Sequence, residues 1–215
     1  DLTPRERYNF TQLSTPPLRQ YLADVVDYYK LALSSDEPYI KYISFYHIME
    51  YFYDEVFKKK MVSDLRNKIT SPDFTYKNDD KVYEIAKFVN NRMRMDSKSG
   101  LGDEAESLKF VLMEYVPIEE LRARIATIDP TAETYYQTSK VVFCNAPSIA
   151  WSDVQGVYTQ LCKRIYATRN SLIHSKSGRK HELYHPYKDE PILRKEIPLV
   201  KAVAELIIIN SSSVL

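Results

Sequence analysis

The sequence predicts an all-α domain, and three observations lead there. Glycine is scarce, at 4 of 215 residues, which leaves few tight turns and argues against a sandwich, a barrel or a Gly-rich phosphate loop. Apolar residues recur at three- and four-residue spacings over most of the chain, the period of an amphipathic helix. Hydrophobic residues make up 44% of the sequence, enough to bury a core under those helices.

The length suits one large domain, or a domain carrying a substantial insertion. Thirty basic residues oppose 29 acidic ones, a formal net charge of +1. Whole-chain charge therefore gives no pointer to nucleic acid, and any basic site must be local. Two cysteines, Cys144 and Cys162, are too few for a disulfide framework and form no metal-ligand pair. The longest apolar runs, Leu206-Ile207-Ile208-Ile209 among them, are far shorter than a membrane span. A cytoplasmic domain with no membrane contact is expected. The first residue is Asp1, which reads as a missing or trimmed start and leaves a removed signal peptide and an upstream domain in a longer natural chain both open.

The elements follow in order. Leu18, Leu22, Val25, Val26, Tyr29 and Leu33 place a first helix over 18–33, opened by Pro16-Pro17. Ser34, Ser35 and Asp36 form a turn, with Asp36 as the expected cap of a second helix from Pro38. Tyr42, Phe45, Ile48, Met49, Phe52 and Val56 carry that helix on to Lys58-Lys59-Lys60. Its aromatic residues are expected to pack inward. Glu50 lies inside this stripe region and either faces a site or has a solvated or partly buried structural role. Residues 78–95, 103–115 and 118–128 read as further helices, separated by the loop 96–102. Lys140 to Cys144 suggests a short strand closed at once by Asn145-Ala146-Pro147. Ser152 or Asp153 is expected to cap a helix bearing Val154, Val157, Tyr158, Leu161, Ile165, Thr168 and Leu172. A polar loop over 175–189 then leads to a last helix opened by Pro198.

The segment Arg169-Asn170-Ser171-Leu172-Ile173-His174 resembles the Arg-x4-His signature of the HEPN family. The upstream helix Phe45-Tyr46-His47-Ile48-Met49-Glu50-Tyr51-Phe52 and the downstream stretch from Ile197 to Glu205 also look like HEPN relatives in bacterial defence systems. The resemblance covers the second helix and everything from about Trp151 onward. It implies an HEPN-type helical bundle in which about 78–147 is an inserted, mostly helical segment of one domain. It further implies a metal-independent endoribonuclease without cofactor, leaving 2′,3′-cyclic phosphate ends. Two chains would pair their motifs across a two-fold axis. A defence or toxin–antitoxin setting would bring an upstream sensor domain or an antitoxin protein as partner.

The residue types suit that chemistry. Attack by a 2′-hydroxyl needs a group titrating near neutrality, which His174 supplies. Charge building on phosphoryl oxygens needs a fixed cation, which the Arg169 fork supplies. Asn170, four residues before His174, shares a helix face with it and can orient the ring or the phosphate. Arg169 and His174 are roughly 140° apart around an ideal helix, so a bend, a helix end or a second chain must bring them together. From 163 to 195 nine basic residues oppose Glu182, Asp189 and Glu190; Lys176, Arg179 and Lys180 are the expected RNA-backbone contacts. The bland reading is that such an Arg and His merely satisfy carbonyls at a helix end. Lys176 stands where some HEPN proteins carry a regulatory tyrosine, for which Tyr184 or Tyr187 would have to substitute.

Two other classes compete. His181-Glu182-Leu183-Tyr184-His185 spells the zinc-peptidase pattern H-E-x-x-H, but Pro186 biases His185 away from helix. An HEPN-like module that binds RNA or protein without cutting would carry the same Arg and His.

Overall fold

The computed structural model describes residues 18–98, 102–173 and 183–214. The architecture is all-α. In chain order the helices are α1 (Ala23–Ser34), α2 (Pro38–Glu50), α3 (Tyr53–Ile69), α4 (Asp79–Lys98), α5 (Gly102–Tyr115), α6 (Ile118–Ile128), α7 (Ala132–Thr138), α8 (Val157–Ile173) and α9 (Pro186–Asn210). Two residues at each end, β1 (Arg19–Gln20) and β2 (Ser213–Val214), pair antiparallel, with Arg19 opposite Val214. That pairing takes the place of the first turn expected for helix one.

The expected second helix is two. Tyr51 N–H still bonds the His47 carbonyl at 3.0 Å, but Phe52 N–H reaches only back to Met49, at 3.2 Å. Tightening the last turn to a three-residue closure redirects the chain, and α3 leaves to pack on α5 and α4. The 140–144 stretch is not a strand either. Val141 and Ala146 exchange two backbone hydrogen bonds around the 3-10 turn Val142–Cys144, closed by Asn145 at φ 50°. Asparagine tolerates that left-handed backbone better than most side chains. Asp153 does serve the start of α8: its carboxylate accepts Gly156 N–H at 2.9 Å. A Cβ on Gly156 would lie 2.0 Å from Asp153 Oδ2, so glycine keeps that cap in place.

The largest departure is the last helix. It starts at Pro186, not Pro198, and carries Pro191 and Pro198 inside it. Pro186 fits a first helical position, and Asp189 accepts His185 N–H at 2.9 Å to close the entry. An internal proline removes a ladder bond and pushes away the carbonyl four residues back. Here Tyr136 repairs the gap. Its hydroxyl donates to the Lys195 carbonyl at 2.7 Å and accepts Leu199 N–H at 3.0 Å. The side chain thus bridges two backbone groups that would otherwise bond each other.

Helix α9 packs along α2 and against α6, while α5 bridges α3 and α8. Tyr42, Phe45, Ile48 and Met49 of α2 share one buried cluster with Leu199, Val200, Val203 and Ile207 of α9. Leu108 and Leu112 of α5, Leu121 and Ile125 of α6 and Tyr136 of α7 join the same cluster. Much of the 78–147 stretch is therefore core. By contrast, none of the described side chains of α4 is fully buried. No helix among the described residues is long and apolar enough to cross a membrane.

Candidate functional site

Helix α8 buries Leu161, Ile165, Thr168 and Leu172, positions spaced by three and four that fix which way the helix faces. Arg169 follows Thr168 and so lies at the margin of the buried stripe, 12% exposed. Its guanidinium lies over the Tyr46 ring, 5.1 Å from the centroid, a desolvated cation–π contact. Nη2 donates to Glu50 Oε1 at 2.8 Å, and Nη1 donates to Glu104 Oε2 at 3.2 Å and to Asn170 Oδ1 at 3.1 Å. Three helices meet on one cation: α2 through Tyr46 and Glu50, α5 through Glu104, and α8 itself. The Nε–H is buried with no hydrogen-bond partner among the described residues. Leaving such a donor unmet costs about 1–3 kcal/mol.

Glu50 is shared. Its second oxygen, Oε2, sits 2.7 Å from His47 Nδ1, and the two residues face the same way because they are three apart on α2. Burial by itself would raise the Glu50 carboxyl, but the His47 hydrogen bond and the Arg169 charge outweigh it and hold the group below its ordinary value. Burial likewise disfavours charge on Arg169; Tyr46, Glu104 and Glu50 together more than offset that and push its pKa up. Burial raises the Tyr46 phenol despite a hydrogen bond from the Tyr53 hydroxyl at 2.8 Å. The site is an anion–cation–anion sandwich on an aromatic floor, with an imidazole at its edge.

No family model, no curated protein and no solved structure matches this chain. What the site can do rests on its own geometry.

Of the residues singled out in the sequence, Arg169 and Asn170 are placed here and touch each other. His174, Lys176, Arg179 and Lys180 lie outside the described residues, as do His181 and Glu182. His185 is described. It stands in extended backbone, φ −111° and ψ 112°, as the residue before the first turn of α9. Two imidazoles on one helical face, which the zinc-peptidase pattern requires, are therefore not available from 181 and 185. Among the described residues no three His, Cys, Asp or Glu side chains converge as metal ligands.

The basic balance of 163–195 is smaller on the surface than in the sequence. Arg164 is buried completely. It meets Glu196 through two hydrogen bonds of 2.8 Å and donates to the Ser139 and Pro147 carbonyls at 2.7 and 2.9 Å. Glu196 lies one residue beyond the counted window, so sequence bookkeeping missed its neutralising charge. Arg194 is likewise paired, with Glu190, one turn away. Glu104 and His47 were not singled out by sequence reasoning. Neither forms a local pattern with Arg169; only the packing of α2 and α5 on α8 brings them in.

Proposed function

We propose that this chain is a metal-independent endoribonuclease of the HEPN type, cleaving RNA through 2′-hydroxyl attack to leave a 2′,3′-cyclic phosphate and a 5′-hydroxyl. The observation that carries the proposal is the state of Arg169. A permanently charged fork is held rigidly on an aromatic floor, at partial exposure, with one N–H unmet, five residues before His174. Preorganised positive charge of that kind is what a phosphorane needs, because it costs no reorganisation when the charge develops. In this reading Arg169 stabilises the phosphoryl oxygens, His174 transfers protons, and Asn170 steadies the guanidinium it touches. Lys176, Arg179 and Lys180 grip the RNA backbone. Two copies pair their motifs around one cleft, and a defence or toxin–antitoxin system is the setting.

One observation favours the second reading, a module that binds RNA or protein without cutting. Arg169 already has two carboxylate partners, which would suit a purely structural or gripping role. RNA cleavage in EDTA separates the two, with wild type set against His174→Ala and Arg169→Ala. Cleavage by wild type alone, with cyclic-phosphate ends, is expected. RNA binding without cleavage would favour the module, and cleavage unaffected by either substitution would discredit the site.

A further inference from the structure

Tyr166, Arg169 and Asn170 fall at positions i, i+3 and i+4 of α8, so the three side chains share one face of the helix. Asn170 ties the other two together. Its Oδ1 accepts Arg169 Nη1 at 3.1 Å, and a second side-chain hydrogen bond joins it to Tyr166. The Tyr166 hydroxyl and the Arg169 fork both point at Glu104 of α5. One oxygen, Oε2, accepts Tyr166 O–H at 3.4 Å and Arg169 Nη1 at 3.2 Å. Both distances are long for hydrogen bonds to a carboxylate, because a single oxygen is stretched between two donors. Glu50 is held more closely: its Oε1 lies 2.8 Å from Arg169 Nη2, and His47 secures its other oxygen at 2.7 Å. Glu104 is also the more exposed of the two carboxylates, 35% against 25%. It stands in the first turn of α5, ahead of the buried anchors Leu108, Val111 and Leu112. Its side chain can therefore turn away while the helix stays packed.

We propose that Tyr166, Arg169 and Asn170 form an anion slot for an RNA phosphodiester, and that Glu104 fills this slot as a built-in competitor until the phosphate displaces it. This rests on the ribonuclease reading and deepens it: Tyr166 becomes a further phosphate contact, and Glu104 the group that holds the site shut. The oxygens of a phosphodiester are arranged tetrahedrally. They give the tyrosine and the guanidinium one acceptor each, where Glu104 offers one oxygen for both. With Glu104 bonded to Nη1, Arg169 is only 12% exposed, so an anion reaches the fork by taking the place of that carboxylate. Glu50 keeps Nη2 throughout and holds the fork still. One negative charge replaces another, so the balance of charge around Arg169 is preserved. Molecules with Glu104 in the slot do not bind phosphate there, and the apparent affinity falls by the fraction that remains competent.

The test is binding of two probes to the full chain, with thermal melts as a check on folding. Inorganic phosphate is titrated by calorimetry, and a fluorescent 2′-O-methyl RNA oligonucleotide by anisotropy. The methyl group blocks attack by the 2′-oxygen, so binding is read without cleavage. Glu104→Gln is expected to bind both probes about tenfold more tightly than wild type. Tyr166→Phe in the Glu104→Gln background is expected to lose most of that gain, which a merely structural phenol would not cause. Glu114→Gln removes the same charge about 15 Å further along α5 and is expected to change neither affinity. Equal affinity of folded Glu104→Gln and wild type, or an equal gain from Glu114→Gln, overturns the slot. A gain confined to inorganic phosphate overturns RNA as its occupant. Unmodified RNA cut by wild type, with no gain from Glu104→Gln, overturns the slot and leaves the ribonuclease reading standing. The expected gain without any cleavage keeps the slot and sinks the ribonuclease reading.

Discussion

Arg164 and Glu196 face each other through two parallel hydrogen bonds of 2.8 Å, with both side chains shut off from solvent. Fork geometry of this kind registers α8 against α9, and it does so five residues before Arg169. Nη1 donates to the Ser139 and Pro147 carbonyls, and the plane lies over Tyr135 and Tyr136. The Tyr135 hydroxyl donates to Glu196 at 3.0 Å.

Breaking one side of a buried pair leaves an uncompensated charge. Arg164→Met is therefore expected to cost about 3–5 kcal/mol in a denaturant titration. The double variant Arg164→Met/Glu196→Leu should cost less than the two single changes added together, because no charge is stranded. It should still fall short of wild type, since the Ser139 and Pro147 carbonyls lose their donor. A double variant as unstable as the sum would show that packing, not charge, dominates here.

Tyr136 supplies the next prediction. Tyr136→Phe removes the hydroxyl that joins Lys195 C=O to Leu199 N–H, and both are expected to lose about 1–3 kcal/mol of combined satisfaction. Pro198→Ala should let that part of the ladder close by itself. In a double-mutant cycle the Tyr136→Phe penalty is then expected to shrink in the Pro198→Ala background; an equal penalty in both would separate the tyrosine from the proline.

Glu50 carries a pH dependence. Its folded-state pKa is depressed by His47 and Arg169 against the opposing effect of burial, so its contribution is fully present above the ordinary carboxylate range. That contribution is lost as pH falls through the depressed folded value. The gap in unfolding midpoint between wild type and Glu50→Gln should be widest near neutrality and close progressively below about pH 4. A gap independent of pH would mean that shape, not charge, is what Glu50 provides.

Arg169→Lys tests the fork. Lysine keeps the charge but cannot span Glu50, Glu104 and a phosphate in one plane. On the proposed ribonuclease reading, RNA cleavage is expected to drop about 10²–10³-fold while RNA binding falls much less. Equal activity would reduce Arg169 to a point charge.

The two thiols should be inert in the folded chain. Burial pushes both Cys144 and Cys162 up to about 11, more than nearby donors and cations pull them down. A colourimetric thiol titration at pH 8 is expected to find neither in the native protein and both after unfolding.

The sequence by itself determined most of the helices. Their positions are written in the spacing of Leu161, Ile165, Thr168 and Leu172, and in the similar series of α1, α2, α5 and α6, because the period of an apolar stripe is a local property. It also singled out Arg169 and Asn170, which touch in the structure. Tertiary structure alone decided the turn at Tyr51 and Phe52, since no glycine or proline marks it and the apolar period runs straight through. It decided too that α9 continues across Pro198, because the group that mends the break is Tyr136, 59 and 63 residues away from its two partners. Arg164 reads as surface charge until Glu196 is seen opposite it. The same limit hid His47 and Glu104: each is ordinary within its own helix, and only the packing of α2 and α5 on α8 places a shared carboxylate between an imidazole and a guanidinium.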